Sequence, residues 1–514
     1  MALGAVLLVM FSSTLTSTIV STATPTIVSD LRGLNLYAWV FTGYMLASAV
    51  VVPIAGKLSD IYGRRPFYLI GIGLFLLGSA AAGAARSMEM LIAARCISGL
   101  GGGAMMAMAT VTIGDIFSPR ERGRWMGAVM GVFGLAALVG PTIGGSITDH
   151  WGWRWVFYVN LPMGVLAWFV AGVVLPRFRA ESEATIDYLG ILLLVLGIVP
   201  ILLGVTWGGS TYPWNSWQEI GMFAIGGVGL VLFVLAELRA RDPLLSPMLF
   251  RNAIFTLSVA ISFFITLGMY GSITFMPLFL QGVLGQSAQD SGLVLAPMMI
   301  PFVLGAMVGG QVMARTGRYK VQGILGLGLG TLGMFLFSRL SPSSSYGEVI
   351  RDMAVMGVGI GLAMPIFSTT VQSAFPHQLL GTANSARQFF SNLGGVIGVP
   401  VLTSVMVTRF HSELAGRLPA QVRPVLAKAS LNPQALITAQ SQAALQQQLA
   451  GFGPAGHQIF LATLAAIRAS LSSGIVASFT ISIAVMGAGF LLALVFPERP
   501  LKSWNDSSSQ GPID

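Results

Sequence analysis

The sequence contains little charge. Only 9% of its 514 residues are charged, whereas 54% are hydrophobic and the mean hydropathy is +0.78. A soluble domain carries about a quarter of its residues as charged side chains, so this composition excludes an ordinary soluble protein. Apolar stretches of about 20 residues, enough to cross about 30 Å of hydrocarbon, recur along nearly the whole chain. The sequence therefore predicts a protein that crosses the membrane many times.

Cysteine is nearly absent as well. Cys96 is the single cysteine, which excludes an intramolecular disulfide. It lies in an apolar run, where a small buried residue is the simplest interpretation. The first apolar run leads directly into further predicted spans, so we expect no cleavable secretion signal.

The positive charges are distributed unevenly, and their positions indicate topology. Of the 28 Lys and Arg, 16 fall in the segments that alternate as cytoplasmic loops. This bias predicts that both ends of the chain are cytoplasmic, and it explains the net charge of +9 without a nucleic-acid partner. The 16 residues are Lys57, Arg64, Arg65, Arg120, Arg122, Arg124, Arg177, Arg179, Arg239, Arg241, Arg251, Arg315, Arg318, Lys320, Arg499 and Lys502.

Apolar runs between charged or turn-rich breaks predict fourteen helices. An even number agrees with two cytoplasmic ends. The predicted helices are 3–27, 37–57, 66–85, 89–113, 123–147, 155–176, 187–207, 219–239, 254–280, 290–313, 321–340, 350–374, 381–407 and 472–496.

The chain also repeats a short pattern after helix 2 and after helix 10. A second pair of similar segments, "DIFSPRERG" (115–123) and "SAFPHQLLG" (373–381), follows helices 4 and 12. The offsets of 254 and 258 residues fit one duplication, with helices 7 and 8 inserted between two six-helix halves. Parallel repeats of this kind predict a substrate site near the midplane and alternating access. The first repeat pairs Gly56, Asp60, Gly63 and Arg64 with Gly310, Ala314, Gly317 and Arg318.

These features predict an all-α polytopic protein in four parts: a six-helix bundle over 1–180, two inserted helices over 181–252, a second bundle over 253–500, and a cytoplasmic tail over 501–514. Within the second bundle, 408–471 is a long outer loop. Helical spacing in its Gln/Ala-rich part, 432–449, predicts short helices on the outer face. A simple covering loop and a lid or partner site both remain open.

The segment "GKLSDIYGRRP" (56–66) is the sharpest local motif. Asp60 and Arg64 can pair across the tight helix 2–3 junction, and Asp115 at the inner end of helix 4 is a third member. The segment resembles the loop 2–3 signature of the major facilitator superfamily. The resemblance implies a charge network that stabilises the outward-facing state, whereas an incidental ion pair in a basic loop is the alternative. Ala314 replaces the aspartate in the second half, so we expect a one-sided network. Its residues are Gly56, Asp60, Gly63, Arg64, Arg65 and Asp115.

A second motif, "GLAALVGPTIGG" (134–145), lies in helix 5. Its glycines and proline allow a bend and close helix approach. Together with "WGWRWVFYVNLPMG" (151–164) it resembles the fourteen-helix drug:proton antiporters, over about residues 12–407 and 472–500. The resemblance implies the major facilitator fold and proton-linked multidrug efflux. The residues of the helix 5 motif are Gly140, Pro141, Gly144 and Gly145.

Two arginines lie within predicted spans. Arg95 in "LIAARCISGLGGGA" (91–104) needs a cavity or a partner, because an isolated arginine in hydrocarbon costs several kcal/mol. The family pattern has glutamine at Ser98, one turn along the same face. The resemblance implies a role for Arg95 in proton coupling or substrate contact; an arginine bonded only to carbonyls is the structural alternative. Arg387 is the second intramembrane arginine.

The acid that the family carries in helix 1 is missing. "LTSTIVSTATPTI" (15–27) resembles the family's helix 1 signature, with Thr16 where that signature has an aspartate. We find no Asp or Glu near the middle of any predicted span. Uncompensated arginines disfavour a lipophilic cation. We therefore hypothesise a cavity that favours neutral or anionic amphiphiles, or altered coupling.

Helices 1, 4, 9 and 12 are expected to surround the cavity. Polar stripes and flexible apolar side chains there suit a broad site, although such stripes also serve as helix–helix contacts. The cavity candidates are Ser13, Ser17, Ser21, Met106, Tyr270, Thr274, Asn384, Gln388 and Phe390.

Other function classes fit less well. The four histidines are scattered, no metal-spaced cluster or phosphate-binding loop is present, and we expect no enzyme activity, metal or cofactor. A membrane receptor or scaffold is disfavoured by the repeat, and an exporter of a lipid or fatty acid remains an alternative. The expected partners are a small hydrophobic or amphiphilic substrate, protons and the bilayer, and we expect a monomer in a bacterial inner membrane.

Overall fold

The computed structural model describes residues 2–31, 36, 39–117, 119–175, 186–208, 211–285, 295–375, 379–419, 422, 446–447 and 456–498. Long helices dominate these residues. In chain order they are α1 Ala2–Leu31, α2 Trp39–Tyr62, α3 Arg64–Gly83, α4 Met88–Ile116, α5 Pro119–Trp151, α6 Trp155–Val174, α7 Tyr188–Trp207, α8 Trp217–Glu237, α9 Ala253–Gly282, α10 Ala296–Thr316, α11 Lys320–Ser338, α12 Tyr346–Ala374, α13 Leu380–Arg417 and α14 Gly456–Leu494. A short 3₁₀ helix, Pro247–Arg251, precedes α9.

The helix count agrees with the prediction from the apolar runs. Within the described residues, thirteen helices, α2 to α14, are long and apolar enough to cross a membrane. The remaining helix, α1, has 30 residues and therefore extends about 45 Å at 1.5 Å per residue, which is also sufficient. One residue, Val159, interrupts α6 between Trp155–Tyr158 and Asn160–Val174.

The helices form two bundles. Helices α1 to α6 pack among themselves, as do α9 to α14, and the inserted helices α7 and α8 pack mainly on each other. The two bundles meet through α2 with α13 and through α5 with α10. The inserted pair is held by close backbone approach, because a side chain at Gly229 would meet the main chain of Gly197 at 2.8 Å. The predicted boundary near 180 lies in 176–185, outside the described residues, and stays a prediction.

The duplicated turns have the same backbone conformation. Gly63 connects α2 to α3 with φ of +88°, and Gly317, its counterpart 254 positions later, ends α10 with φ of +67°. Glycine adopts this left-handed region at little cost, whereas a Cβ atom would strain it. The repeat seen in the sequence is therefore a repeat of chain reversal at the inner ends of two helix pairs.

Two helices are longer than predicted. The sequence predicts 381–407 and 472–496, whereas α13 continues to Arg417 and α14 begins at Gly456. Apolar runs mark only the part of a helix inside hydrocarbon. Beyond it, Glu413 pairs at i±4 with Arg409 at 2.7 Å and with Arg417 at 2.9 Å, and such pairs support helix in water. The predicted outer loop is correspondingly shorter, and the short helices expected over 432–449 fall almost wholly outside the described residues.

Candidate functional site

The helix 2–3 junction assembles a compact charge cluster. The turn at Gly63 places Arg64 at the start of α3, where its guanidinium pairs with Asp60 at the end of α2. Its Nε atom also donates to Asp115 at 3.0 Å, and one terminal nitrogen donates to Ser59 at 2.8 Å. One arginine thus ties together three helices, α2, α3 and α4.

Asp60 also connects the two bundles. Its second carboxylate oxygen accepts hydrogen bonds from the main-chain N–H of Thr382 at 2.7 Å and from the Thr382 hydroxyl at 2.8 Å. Thr382 lies in the first turn of α13, where N–H groups lack helical acceptors and the helix dipole favours a negative charge. The aspartate therefore bonds to its own half through Arg64 and to the opposite half through a helix N-terminus.

Glycines make this contact between halves possible. A Cβ atom at Gly56 would lie about 2.0 Å from the Ser385 hydroxyl, and one at Gly381 would overlap the carboxylate of Asp60. Here α2 and α13 approach so closely that no side chain fits between them. Arg65, the remaining residue of the predicted network, is half-buried and does not take part in these contacts.

Arg122 forms a second bridge between the halves. Its guanidinium, 8% exposed, donates to three main-chain carbonyls: Phe117 at 2.9 Å, Gly114 at 2.6 Å and Gln372 at 2.8 Å. Gly114 ends α4 and Gln372 ends α12. The two are 258 positions apart, which is the offset of the second sequence repeat. One arginine thus caps equivalent helix ends in both halves.

A buried polar group continues this bridge toward the membrane. The Gln372 side chain donates to the carbonyl of Thr110 at 3.2 Å, and Asn384 donates to the Thr110 hydroxyl. The Asn384 oxygen in turn accepts from Ser368 at 3.4 Å. Asn384, a predicted cavity residue, is fully buried in this contact between α4, α12 and α13. We name Asp60–Thr382, Arg122–Gln372 and Thr110–Asn384 together the inner bridge.

Arg95 is buried against α2. Its Nε donates to the carbonyl of Val40 at 3.1 Å and its guanidinium stacks over the ring of Tyr44 at 4.5 Å, while Nη1 is buried without a hydrogen-bond partner. The Tyr44 hydroxyl lies 3.2 Å from that of Ser13, another cavity candidate, which is 7% exposed. No carboxylate of the described residues pairs with Arg95, so its charge is offset only by a carbonyl dipole and an aromatic face.

The expectation that Ser98 shares a face with Arg95 is wrong. Ser98 packs against α3, since a Cβ atom at Gly78 would lie 2.4 Å from its main-chain nitrogen, and its hydroxyl bonds to the carbonyl of Ala94. Three residues correspond to 300° of rotation on a helix, and that 60° difference directs Arg95 to α2 and Ser98 to α3.

Thr16 lies at a helix–helix contact. It is fully buried, and its hydroxyl is 2.8 Å from the Asn160 side-chain oxygen and 2.7 Å from the carbonyl of Ser12. The Asn160 amide donates to Val156 and Phe157, which orients it at the break in α6. The position where the family signature has an acid therefore faces a fixed amide of α6.

Arg387 lies within a polar group of the second half. It is 5% exposed, its terminal nitrogens donate to Ser262 at 3.4 Å and to Gln388 at 3.1 Å, and Nε is unpartnered. Gln388 donates onward to Asn392 at 2.9 Å. As with Arg95, no described carboxylate pairs with it. The two intramembrane arginines are thus both buried cations without counter-ions.

The helix 5 motif mediates close packing on α1. A Cβ atom at Gly140 would lie about 2.0 Å from the Thr18 hydroxyl, and one at Gly144 about 2.4 Å from that of Thr22. A side chain at Gly145 would meet nothing within 4 Å. The Pro141 side chain lies outside the described residues, although α5 passes through this position as one helix, Pro119–Trp151.

The remaining cavity candidates have varied surroundings. Thr274 is exposed, Met106 and Tyr270 are half-buried, and the ring of Tyr270 lies against Gly395. Phe390 stacks edge-on with Phe250 and Phe389. The side chains of Ser17 and Ser21 lie outside the described residues. No group of three metal-ligating side chains occurs in the part of the chain that the structure describes.

Several bridge residues are absent from the sequence prediction. Arg122 counts there only as a loop cation, and Thr382, Gln372, Thr110 and Asn160 are not singled out. The repeat offset of 258 carries a signal for Gln372, because it relates that residue to Gly114 beside Asp115. No local signal identifies Asn160, whose contact depends on how α6 packs on α1.

Two six-helix bundles that carry internal repeats, with two further helices inserted, define a membrane transporter of the alternating-access class. The chain belongs to the Major Facilitator Superfamily, whose family model matches residues 6–399. These proteins are transporters, so the chain is a multi-pass membrane transporter and not an enzyme.

Curated relatives agree. The chain is 40% identical to the multidrug transporter protein MdtP of Bacillus subtilis over 424 residues, covering 82% of this chain and 78% of that protein. It is 36% identical to multidrug resistance protein 3 of the same organism over 417 residues, covering 79% and 80%. Among solved structures, the proton:xylose symporter XylE has a TM-score of 0.63 at 12% identity, with 99% and 98% of the two chains covered, which shows a shared fold.

Proposed function

We propose that this protein is a secondary active exporter that moves hydrophobic and amphiphilic compounds out of a bacterial cell, across the inner membrane, in exchange for protons. The inner bridge carries the proposal. Its contacts lie at the helix ends that the positive-inside bias assigns to the cytoplasm, so they close the cytoplasmic side between the halves. The network predicted from the resemblance then acts as a latch for the outward-facing state, and breaking it lets the halves rock apart.

Multidrug relatives support the broad cargo. Both Bacillus subtilis proteins are named for multidrug transport or resistance, and their similarity extends over about four fifths of this chain. We propose that the protein works as a monomer and contributes to antibiotic resistance.

Inside-out vesicles with an acidic lumen test the proposal. Exchange for protons predicts accumulation of a fluorescent amphiphile that stops when a protonophore collapses the gradient. Accumulation that survives the protonophore contradicts proton coupling. A flux no faster than in vesicles without the protein contradicts export itself.

A second candidate is an exporter of neutral or anionic amphiphiles. It is favoured by Arg95 and Arg387, which are buried without carboxylate partners, and by Thr16 in place of the acid of the family signature. A carboxylate-bearing cargo would supply the missing counter-charge, whereas a permanent cation would be repelled.

The comparison of a fatty-acid analogue with its methyl ester separates the two candidates. For the second candidate, Arg95→Gln and Arg387→Gln each lower flux of the acid about tenfold, the effect of one charge-assisted contact, and change flux of the ester little. Arg409→Gln, an exposed arginine beyond the membrane, is the matched control. Equal losses for acid and ester would indicate a structural role and leave the broad exporter as the explanation.

A further inference from the structure

A polar pocket lies between the end of α11 and the start of α12, on the outer side of the membrane. Its volume is about 320 Å³. A serine-rich turn closes one side. None of its residues belongs to the inner bridge or to the cavity candidates. Its polar lining is Arg339, Ser343, Ser344, Glu348, Arg351 and Asp352.

The pocket combines two cations with two carboxylates. Arg339 is exposed and stacks over Phe335 at 5.0 Å, and no described carboxylate pairs with it. Arg351 is exposed and bonds to Asp352 at 2.8 Å, and that carboxyl group is only 2% exposed. One oxygen of Glu348 accepts the main-chain N–H of Ser345 at 2.9 Å in a capping box. The formal charge of the lining is therefore zero, with both signs represented.

An apolar helix face leads to this pocket. Leu325, Leu332 and Phe335 are 59%, 45% and 42% exposed, and Arg339 follows one turn after Phe335. Their spacing of seven, three and four residues places all four on one face of α11. Exposed apolar residues on a spanning helix contact acyl chains, and an arginine at the end of such a face lies at headgroup level.

We propose that this pocket binds the headgroup of an outer-leaflet phospholipid that carries both a phosphate and a primary ammonium group. The guanidinium groups of Arg339 and Arg351 bind the phosphate, since planar guanidinium matches phosphate oxygens. The carboxylate of Glu348 binds the ammonium, and Asp352 fixes Arg351. The acyl chains lie along Leu332 and Phe335. An anionic headgroup without an amine fits less well, because it leaves Glu348 without a cation and facing a negative ligand.

Native mass spectrometry of the full-length protein in mixed bilayers tests this proposal. The bilayers contain phosphatidylethanolamine and phosphatidylglycerol with identical acyl chains. We expect preferential retention of phosphatidylethanolamine and a loss of about tenfold in Arg339→Ala, as for one charge-assisted contact. Arg86→Ala, an exposed arginine of another outer loop, is the control and retains wild-type binding.

A second variant separates the two headgroup contacts. Glu348→Gln lowers retention of phosphatidylethanolamine and raises that of phosphatidylglycerol, and this exchange of preference does not arise from misfolding. Equal retention of both lipids by the wild type, or equal losses in Arg339→Ala and Arg86→Ala, overturns the proposal. Displacement of the lipid by soluble glycerophosphoethanolamine at equal concentration would indicate a small-molecule site and also overturns it.

Discussion

The guanidinium group of Arg122 in α5 donates a hydrogen bond to the main-chain carbonyl of Gln372 in α12, 250 positions away, at 2.8 Å. A second hydrogen bond of the same group reaches Gly114, the repeat counterpart of Gln372. The duplicated halves thus present equivalent helix ends to one side chain. Carbonyls at helix C-termini lack helical donors, and a cation there is favoured by the helix dipole.

Replacement of Arg122 tests this contact. Arg122→Ala leaves three carbonyls without their donor, and Arg122→Lys keeps the charge but cannot donate in three directions of one plane. We expect both variants to open the cytoplasmic side, with alanine the stronger, and to lower efflux about tenfold or more. Spin labels at Tyr62→Cys and Arg318→Cys in a Cys96→Ser background measure the opening as a longer inner distance. An unchanged distance distribution in Arg122→Ala argues against the role, and the exposed Arg124→Ala is the control.

Neutralisation of Asp60 removes the charge that binds both halves. Asp60→Asn keeps the size of the side chain but leaves Arg64 with Asp115 as its only ion-pair partner among the described residues. Removal of one partner of a buried pair typically costs about 3–5 kcal/mol, so we expect a large shift to the inward-open state and at least tenfold slower efflux. The same spin-label pair reports the shift. Asp149→Asn, at the exposed outer end of α5, is expected to behave as the wild type; equal effects of both variants contradict a specific latch.

A methyl group at Gly56 blocks the approach of α2 to α13. A Cβ atom there would lie about 2.0 Å from the Ser385 hydroxyl, so Gly56→Ala prevents full closure at the inner end. Gly73→Ala is the matched control, because a Cβ atom at Gly73 meets nothing within 4 Å and alanine favours helix by about 0.5–1 kcal/mol. We expect slower efflux only for Gly56→Ala, with thermal stability of the control unchanged or raised. Transport rates and thermal unfolding of the two purified variants decide the matter.

Thr16 contributes stability through Asn160. Thr16→Val preserves shape but leaves the buried Asn160 oxygen without a donor, a loss of about 1–3 kcal/mol. Thr16→Ser retains the hydroxyl and is expected to be much less destabilised. Thermal unfolding in detergent compares them. If valine and serine unfold at the same temperature, the hydrogen bond has no net value and Thr16 is free to serve another role.

Some of the candidate site is local in sequence and could be predicted. Asp60, Gly63 and Arg64 lie within five residues, so a tight turn and an i,i+4 ion pair follow from their spacing, and Asp115 follows from the resemblance. The pairing of Asp60 with Thr382 does not, since 322 positions separate the two residues and nothing near Thr382 marks it. The extra length of α13 could have been inferred from Arg409, Glu413 and Arg417, whose spacing supports helix outside lipid.

The sequence by itself determined the membrane spans, their orientation and the division into two related halves, because hydrophobic length, positive charge and repetition act locally along the chain. Only the tertiary structure decided which polar side chains meet. Arg95 and Ser98 face different helices although they are three residues apart, and Arg122 contacts a carbonyl in the opposite half. Such contacts depend on the rotation and tilt of each packed helix, which the buried surfaces of its neighbours set together.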